Sequence, residues 1–173
     1  AQLRGEKLFA TLEKFLGLPA HSLPNDIDGS FPANGAAARV YLSAHQADRL
    51  SFDWLFDARD AATAPADGHA DNDFAVVSIV DVATGQAELF TLADTRGTGD
   101  KGATGWRAGR YVVDDDDDLM IGFAVVNDRA AGPAAENSTL LVDNVRLNRP
   151  FDDGYQVVDS QHHGRFETLA HHG

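Results

Sequence analysis

The chain has 173 residues, no cysteine, 14 Lys+Arg against 27 Asp+Glu, and a formal net charge of −13. That length suits one domain with a real core, and the acidic field attracts cations while repelling nucleic acid and anionic membranes. The missing cysteines exclude disulfides, thiol nucleophiles and thiolate metal sites, and no stretch reaches the roughly 20 apolar residues needed for a membrane-inserted helix.

The opening Ala, with no charged-then-apolar leader behind it, reads as a mature chain or an excised domain. Residues 5–17 form a short helix in this reading: Leu8, Leu12, Phe15 and Leu16 recur at helical spacing. Gly17 sits at the C-cap and Pro19 just beyond. After a turn-rich connection the period changes to two. Strands are expected at 35–44, 48–58, 73–82, 86–94, 106–113, 119–127 and 139–148.

Alternation is clearest where Leu50, Phe52, Trp54 and Phe56 face one way and Ser51, Asp53 and Asp57 the other. Thr84-Gly85 marks a hairpin between the third and fourth strands. Short strands between Gly, Asp and Pro clusters, with no long helices among them, predict an all-β fold. Its form is an antiparallel β-sandwich or jelly roll carrying one short N-terminal helix. Long loops at 59–72, 95–105 and 128–138 are the places where binding functions sit on such a scaffold. Residues 1–150 make the single sandwich domain. Residues 151–173 add an extra strand and then a flexible, linker-like tail with four of the seven histidines.

Asp143 stands out. Strict alternation in Leu141-Val142-Asp143-Asn144-Val145 puts it on the core face with Leu141, Val145 and Leu147. A carboxylate there needs a pair, a hydrogen bond or a cation. It is a calcium ligand, a hydrogen-bonded structural residue or, if a bulge shifts the register, an exposed side chain. Calcium takes six to eight oxygens, usually gathered from loops. Two acidic clusters could supply them: Asp26 and Asp28 ahead of the first strand, and Asp71 with Asp73 at the mouth of the third. Neither is an EF-hand loop, because no bidentate Glu closes the spacing.

The five carboxylates at 114–118 read as a solvated hairpin turn between the fifth and sixth strands, since neighbours on a strand point apart. Trp54 is in phase with core residues. Trp106, after Thr104-Gly105, is a candidate sugar-stacking platform or a packed strand start. No His-Glu-x-x-His, Gly-x-Ser-x-Gly or phosphate-binding Gly-rich loop is present. With so many acids, a chance glycosidase-like pair carries little weight.

The succession Leu50-Ser51-Phe52-Asp53-Trp54, Asn72-Asp73-Phe74-Ala75-Val76-Val77, Thr104-Gly105-Trp106, Ile121-Gly122-Phe123-Ala124-Val125-Val126 and Leu140-Leu141-Val142-Asp143-Asn144-Val145 resembles a module of exported bacterial proteins. Such modules occur beside haemolysin-type calcium-binding repeats, in large adhesins and in proteins with C-terminal sorting anchors. The opening Leu12-Glu13-Lys14-Phe15-Leu16-Gly17-Leu18 is similar too, and the likeness spans residues 8–148.

The module in turn resembles carbohydrate-binding jelly rolls, in which the acid of a late Val-Asp-Asn-Val strand supports a structural calcium with residues from the chain's start. The resemblance therefore implies Asp143 with Asp26 or Asp28 as calcium ligands, and separately Asp73. It also implies a secreted or cell-surface protein of which this chain is one module. The expected function is a non-catalytic, calcium-stabilised module, adhesive or directed at a glycan or other cell-surface ligand. The alternatives are a structural spacer and a polysaccharide-acting enzyme.

Overall fold

The computed structural model describes residues 2–24, 34–58, 73–98, 102–127, 137–151, 154–161 and 167–172. The fold is an antiparallel β-sandwich. Sheet A has the order β4-β3-β6-β1-β9 and sheet B the order β5-β2-β7-β8. In chain order the elements are α1 (Gln2–Phe15), β1 (Asn34–Ala44), β2 (Arg49–Asp57), β3 (Phe74–Asp81) and β4 (Ala87–Asp94). There follow α2 (Thr95–Thr98), β5 (Arg107–Val112), β6 (Asp117–Asn127), β7 (Thr139–Phe151), β8 (Gly154–Gln161) and β9 (Glu167–His172). Only the β3–β4 and β7–β8 connections stay within one sheet. The first is the expected hairpin, closed by Gly85 at φ 73°.

The space between the sheets is filled from both sides. Leu50, Phe52, Trp54 and Phe56 of β2 point inward, each 6% exposed or less, against Val77, Ile79, Ile121 and Phe123 of sheet A. Phe52 meets Phe123 edge-on, with ring centroids 5.1 Å apart.

Sheet A has a second apolar face, and α1 covers it. Leu8, Phe9, Leu12 and Leu16 pack on Ala37, Phe74, Val76, Ala124 and Val126. This explains why β3 and β6 read as continuous apolar runs rather than alternating ones: both of their faces are buried. The helix can lie close because Gly122 has no Cβ. One built there would stand 2.6 Å from both Leu16 Cδ2 and Ser78 Oγ. Its C-terminus is a Schellman motif, with Gly17 at φ 69°, the Leu18 N–H donating to the Glu13 carbonyl (2.8 Å) and the Gly17 N–H to Lys14 (3.3 Å).

Two expectations are corrected. Residues 114–118 do not close a hairpin, because β5 and β6 belong to different sheets. The run crosses the sandwich, and Asp117 and Asp118 already pair with Ala44 and Ser43 in β6–β1. At the C-terminus the extra strand exists as β8, but 167–172 are not a linker-like tail. They form β9 along β1, from Arg39↔Glu167 to Asn34↔His172. The free edge of β1 offers backbone groups that need partners, and Arg39 adds an ion pair to Glu167 at 2.6 Å.

Candidate functional site

Three places on this scaffold gather polar chemistry. The first is the end of the sandwich where β1 and β3 begin and β6 finishes. Asn34, Asp73 and Asn127 lie there side by side, 8%, 2% and 5% exposed. They are in phase with the residues that face sheet B. Ser138, entering β7 in sheet B, closes the gap: its hydroxyl donates to Asp73 Oδ2 (2.6 Å) and its N–H to Asn127 Oδ1 (2.7 Å). The Asn127 amide donates to Asn34 Oδ1 (2.9 Å), and the Asn34 amide to Asn137 Oδ1 (3.3 Å). The Asp73 backbone carbonyl also accepts from the Thr95 N–H (2.9 Å) and hydroxyl (3.0 Å). A buried polar network of this kind ties the two sheets together.

The segments bearing Asp26, Asp28 and Asp71 lead directly into Asn34 and Asp73, although those three acids fall outside the described residues. Strands β1 and β3 are separated only by β6, so their starts are about two strand spacings, ~10 Å, apart. The topology thus brings the described strand starts that follow the two predicted acidic segments, Asn34 and Asp73, to one end of one sheet. Among the described residues no three acidic or histidine side chains are placed to hold a metal ion together. The donors on hand are one carboxylate, three carboxamides and a hydroxyl, all oxygen ligands of the sort a hard cation accepts.

Asp143 is not part of this group, and its core-face placement is corrected. Asn144 adopts φ 52°, and the β2–β7 register shifts between Ser51 and Asp53. This bulge inserts one residue into the alternation. Val142, Val145 and Leu147 then pack inward, while Asp143 pairs with Asp53 on the outer face of sheet B, half-buried. Its carboxylate accepts the Asn144 N–H at 2.7 Å, and the Asn144 amide donates to Asp53 Oδ2 at 2.8 Å.

The second place is a cleft of about 350 Å³ at the opposite end, between the β3–β4 hairpin and the crossover from β5 to β6. Asp81, Glu88, Tyr111, Asp114, Asp117 and Leu119 are in its wall. The Tyr111 hydroxyl donates to Glu88 at 2.9 Å. Burial and then that bond push its pKa up to about 12. Asp81 closes its own turn by accepting from the Ala83 and Thr84 N–H groups and the Thr84 hydroxyl, and the Thr84 bonds hold its carboxyl below the usual range. Asp117 shares a hydrogen bond with Asp81 and is raised by it. Nearby, Asp48 is fully buried and held by Arg149 through two bonds of 3.0 and 2.9 Å.

The third place is the outer face of sheet B, which no helix among the described residues covers. Arg49, Ser51, Asp53, Arg146, Asn148 and Tyr155 lie on it; of these the one-dimensional pattern places only Ser51 and Asp53, as outward residues of β2. Trp106 sits just ahead of β5, 56% exposed, at the same end of the sandwich as Asp73. Trp54 is core, as its phase predicts, with the Arg107 guanidinium 5.7 Å from its ring.

The sequence matches no protein-family model and no curated protein. No described helix is long and apolar enough to cross a membrane.

Proposed function

We propose that the chain is a non-catalytic binding module of a secreted or surface bacterial protein, stabilised by calcium and directed at a glycan or other cell-surface ligand. The observation that supports it best is the buried Asp73 carboxylate, set between the sheets beside Asn34 and Asn127. The acidic segments containing Asp26, Asp28 and Asp71 lead to that same end. A cation bound there would tie three loop ends of sheet A to the start of β7, and so hold the loop surface around Trp106 in one shape. Fixing a binding surface in advance lowers the ordering cost of ligand capture. The exposed Trp106 ring suits the apolar face of a sugar.

Thermal unfolding with calcium and with chelator, at fixed ionic strength, tests the metal. A cation that binds the folded state raises the melting temperature in proportion to the logarithm of its concentration. Asp73→Asn should abolish that response. An unchanged melting temperature removes calcium from the proposal.

A second reading, a polysaccharide-acting enzyme, draws on the cleft with its Asp81–Asp117 pair and Glu88. Asp81 is committed to its turn by the Thr84 and Ala83 bonds, which leaves it poorly placed to act as acid or base. Release of reducing ends from a polysaccharide panel, lost in Glu88→Gln, would favour this reading over the first.

A further inference from the structure

The outer face of sheet B is an ordered array whose rows follow from the strand registers. One row runs Arg110 (β5), Ser51 (β2), Arg146 (β7). The next runs Val112, Arg49, Asn148, Val157, and Tyr155 follows on β8. Neighbouring strands are about 4.8 Å apart, so Arg110 and Arg146 flank Ser51 at about two strand spacings from one another, with Arg49 one row away.

The side chains are held as well as placed. The Arg49 guanidinium lies 3.9 Å from the centroid of the Tyr155 ring. Arg146 Nη2 donates to Asn144 Oδ1 at 3.1 Å, and the Asn148 amide donates to the Ser51 hydroxyl at 3.0 Å. Arg110 is exposed. The carboxylates nearest these rows, Asp53 and Asp143, lie one row further along and are both engaged by Asn144. On a chain of net charge −13 this is a local concentration of cationic groups.

We propose that this face binds a linear carboxylated polysaccharide, a polyuronate, lying across the strands. The proposal rests on the glycan-binding reading above; it assigns the ligand class and adds a contact surface apart from the Trp106 loops. Guanidinium groups present planar forks that match carboxylates two bonds at a time. Arg110 and Arg146 would hold carboxylates on two linked sugars, while Ser51 and Asn148 meet hydroxyls between them. Tyr155, 44% exposed, with Val157 near it on β8, offers the apolar surface on which a pyranose ring rests. Charge complementarity selects the occupant: an uncharged glycan would bring no carboxylate to the guanidiniums of Arg110, Arg146 and Arg49, and an acidic peptide would leave the apolar patch at Tyr155 unused.

The test is affinity electrophoresis of the 173-residue chain in gels containing polygalacturonate, a neutral glucan, dextran sulfate or poly-glutamate, at physiological salt with calcium. Retardation by polygalacturonate is expected. Arg110→Gln and Arg146→Gln should each weaken it roughly tenfold, the scale of one charge-assisted bidentate pair. Arg107→Gln, an exposed arginine off this face, should leave it unchanged, and an unaltered melting temperature confirms that each variant folds. Equal retardation by dextran sulfate or poly-glutamate overturns the proposal in favour of general anion attraction. Retardation by the neutral glucan alone, insensitive to the arginines, overturns it and leaves the glycan-binding reading standing. No retardation by any carbohydrate overturns both.

Discussion

Removing Arg149 isolates the carboxylate of Asp48, among the described residues one that is fully buried against a cationic partner. Asp48 is 0% exposed, in the β1–β2 turn, and accepts two bonds from Arg149 and one from the His45 N–H at 2.9 Å. In Arg149→Met the aliphatic stem keeps its packing, but Asp48 loses two charge-assisted bonds and stays buried.

Breaking a buried pair from one side costs about 3–5 kcal/mol. Because the Arg149 side chain is 29% exposed, water can reach part of the gap, which places the expected loss nearer 2–3 kcal/mol. For a chain of this size that is a fall of roughly 5–10 °C in melting temperature. In the native chain, burial pushes the Asp48 carboxyl up, but the bonds and charge of Arg149, together with those of His45, outweigh it and the net shift is downward. Its contribution is therefore present above the unfolded value near 3.9 and lost as pH falls through the folded pKa.

In the variant burial is opposed only by the His45 bond and charge, so the carboxyl should be raised instead. Its penalty is then greatest at neutral pH and shrinks on acidification. Urea unfolding of both proteins at pH 7 and pH 4.5 measures this. A stability gap below about 0.5 kcal/mol at pH 7, or one that does not narrow at pH 4.5, refutes the reasoning.

Three further predictions follow the same logic. Leu12→Ala removes a fully buried side chain from the α1–sheet A contact and should cost about 3 kcal/mol in chemical denaturation. Asp143→Ala should cost less than about 1 kcal/mol, since its carboxylate is half-buried and bonds only to the next backbone N–H; a loss of several kcal/mol would restore a buried-ligand role. In an ultraviolet pH titration the Tyr111 phenol should ionise near pH 12, and in Glu88→Gln at a lower pH, because one of the groups opposing its anion is gone.

How much of this was legible in the sequence depended on whether the chemistry was local. The inward set of β2, the Thr84-Gly85 hairpin and the Gly17 cap are written in adjacent residues, and the structure has them as read. The phase of β7 was not legible, because a single αL residue, Asn144, inverts it and any count of alternation assumes there is none. Strand β9 was invisible for another reason. Its segment has no apolar period, and what recruits it is the edge of β1, more than 120 residues earlier in the chain. The same limit applies to function. The acidic clusters could be seen as pairs of residues, but the meeting of Asp73 with Asn34 and Asn127 required the order β3-β6-β1, and the arginine row required the registers of β5, β2 and β7.

The most direct test of a binding role is a glycan array probed with the full 173-residue chain in calcium-containing buffer and again with chelator. The account predicts selective retention on a narrow set of carbohydrates in calcium, weakened by chelation. Absence of retention on every glycan in calcium, from protein that melts cooperatively, would contradict it and leave the sandwich as a spacer.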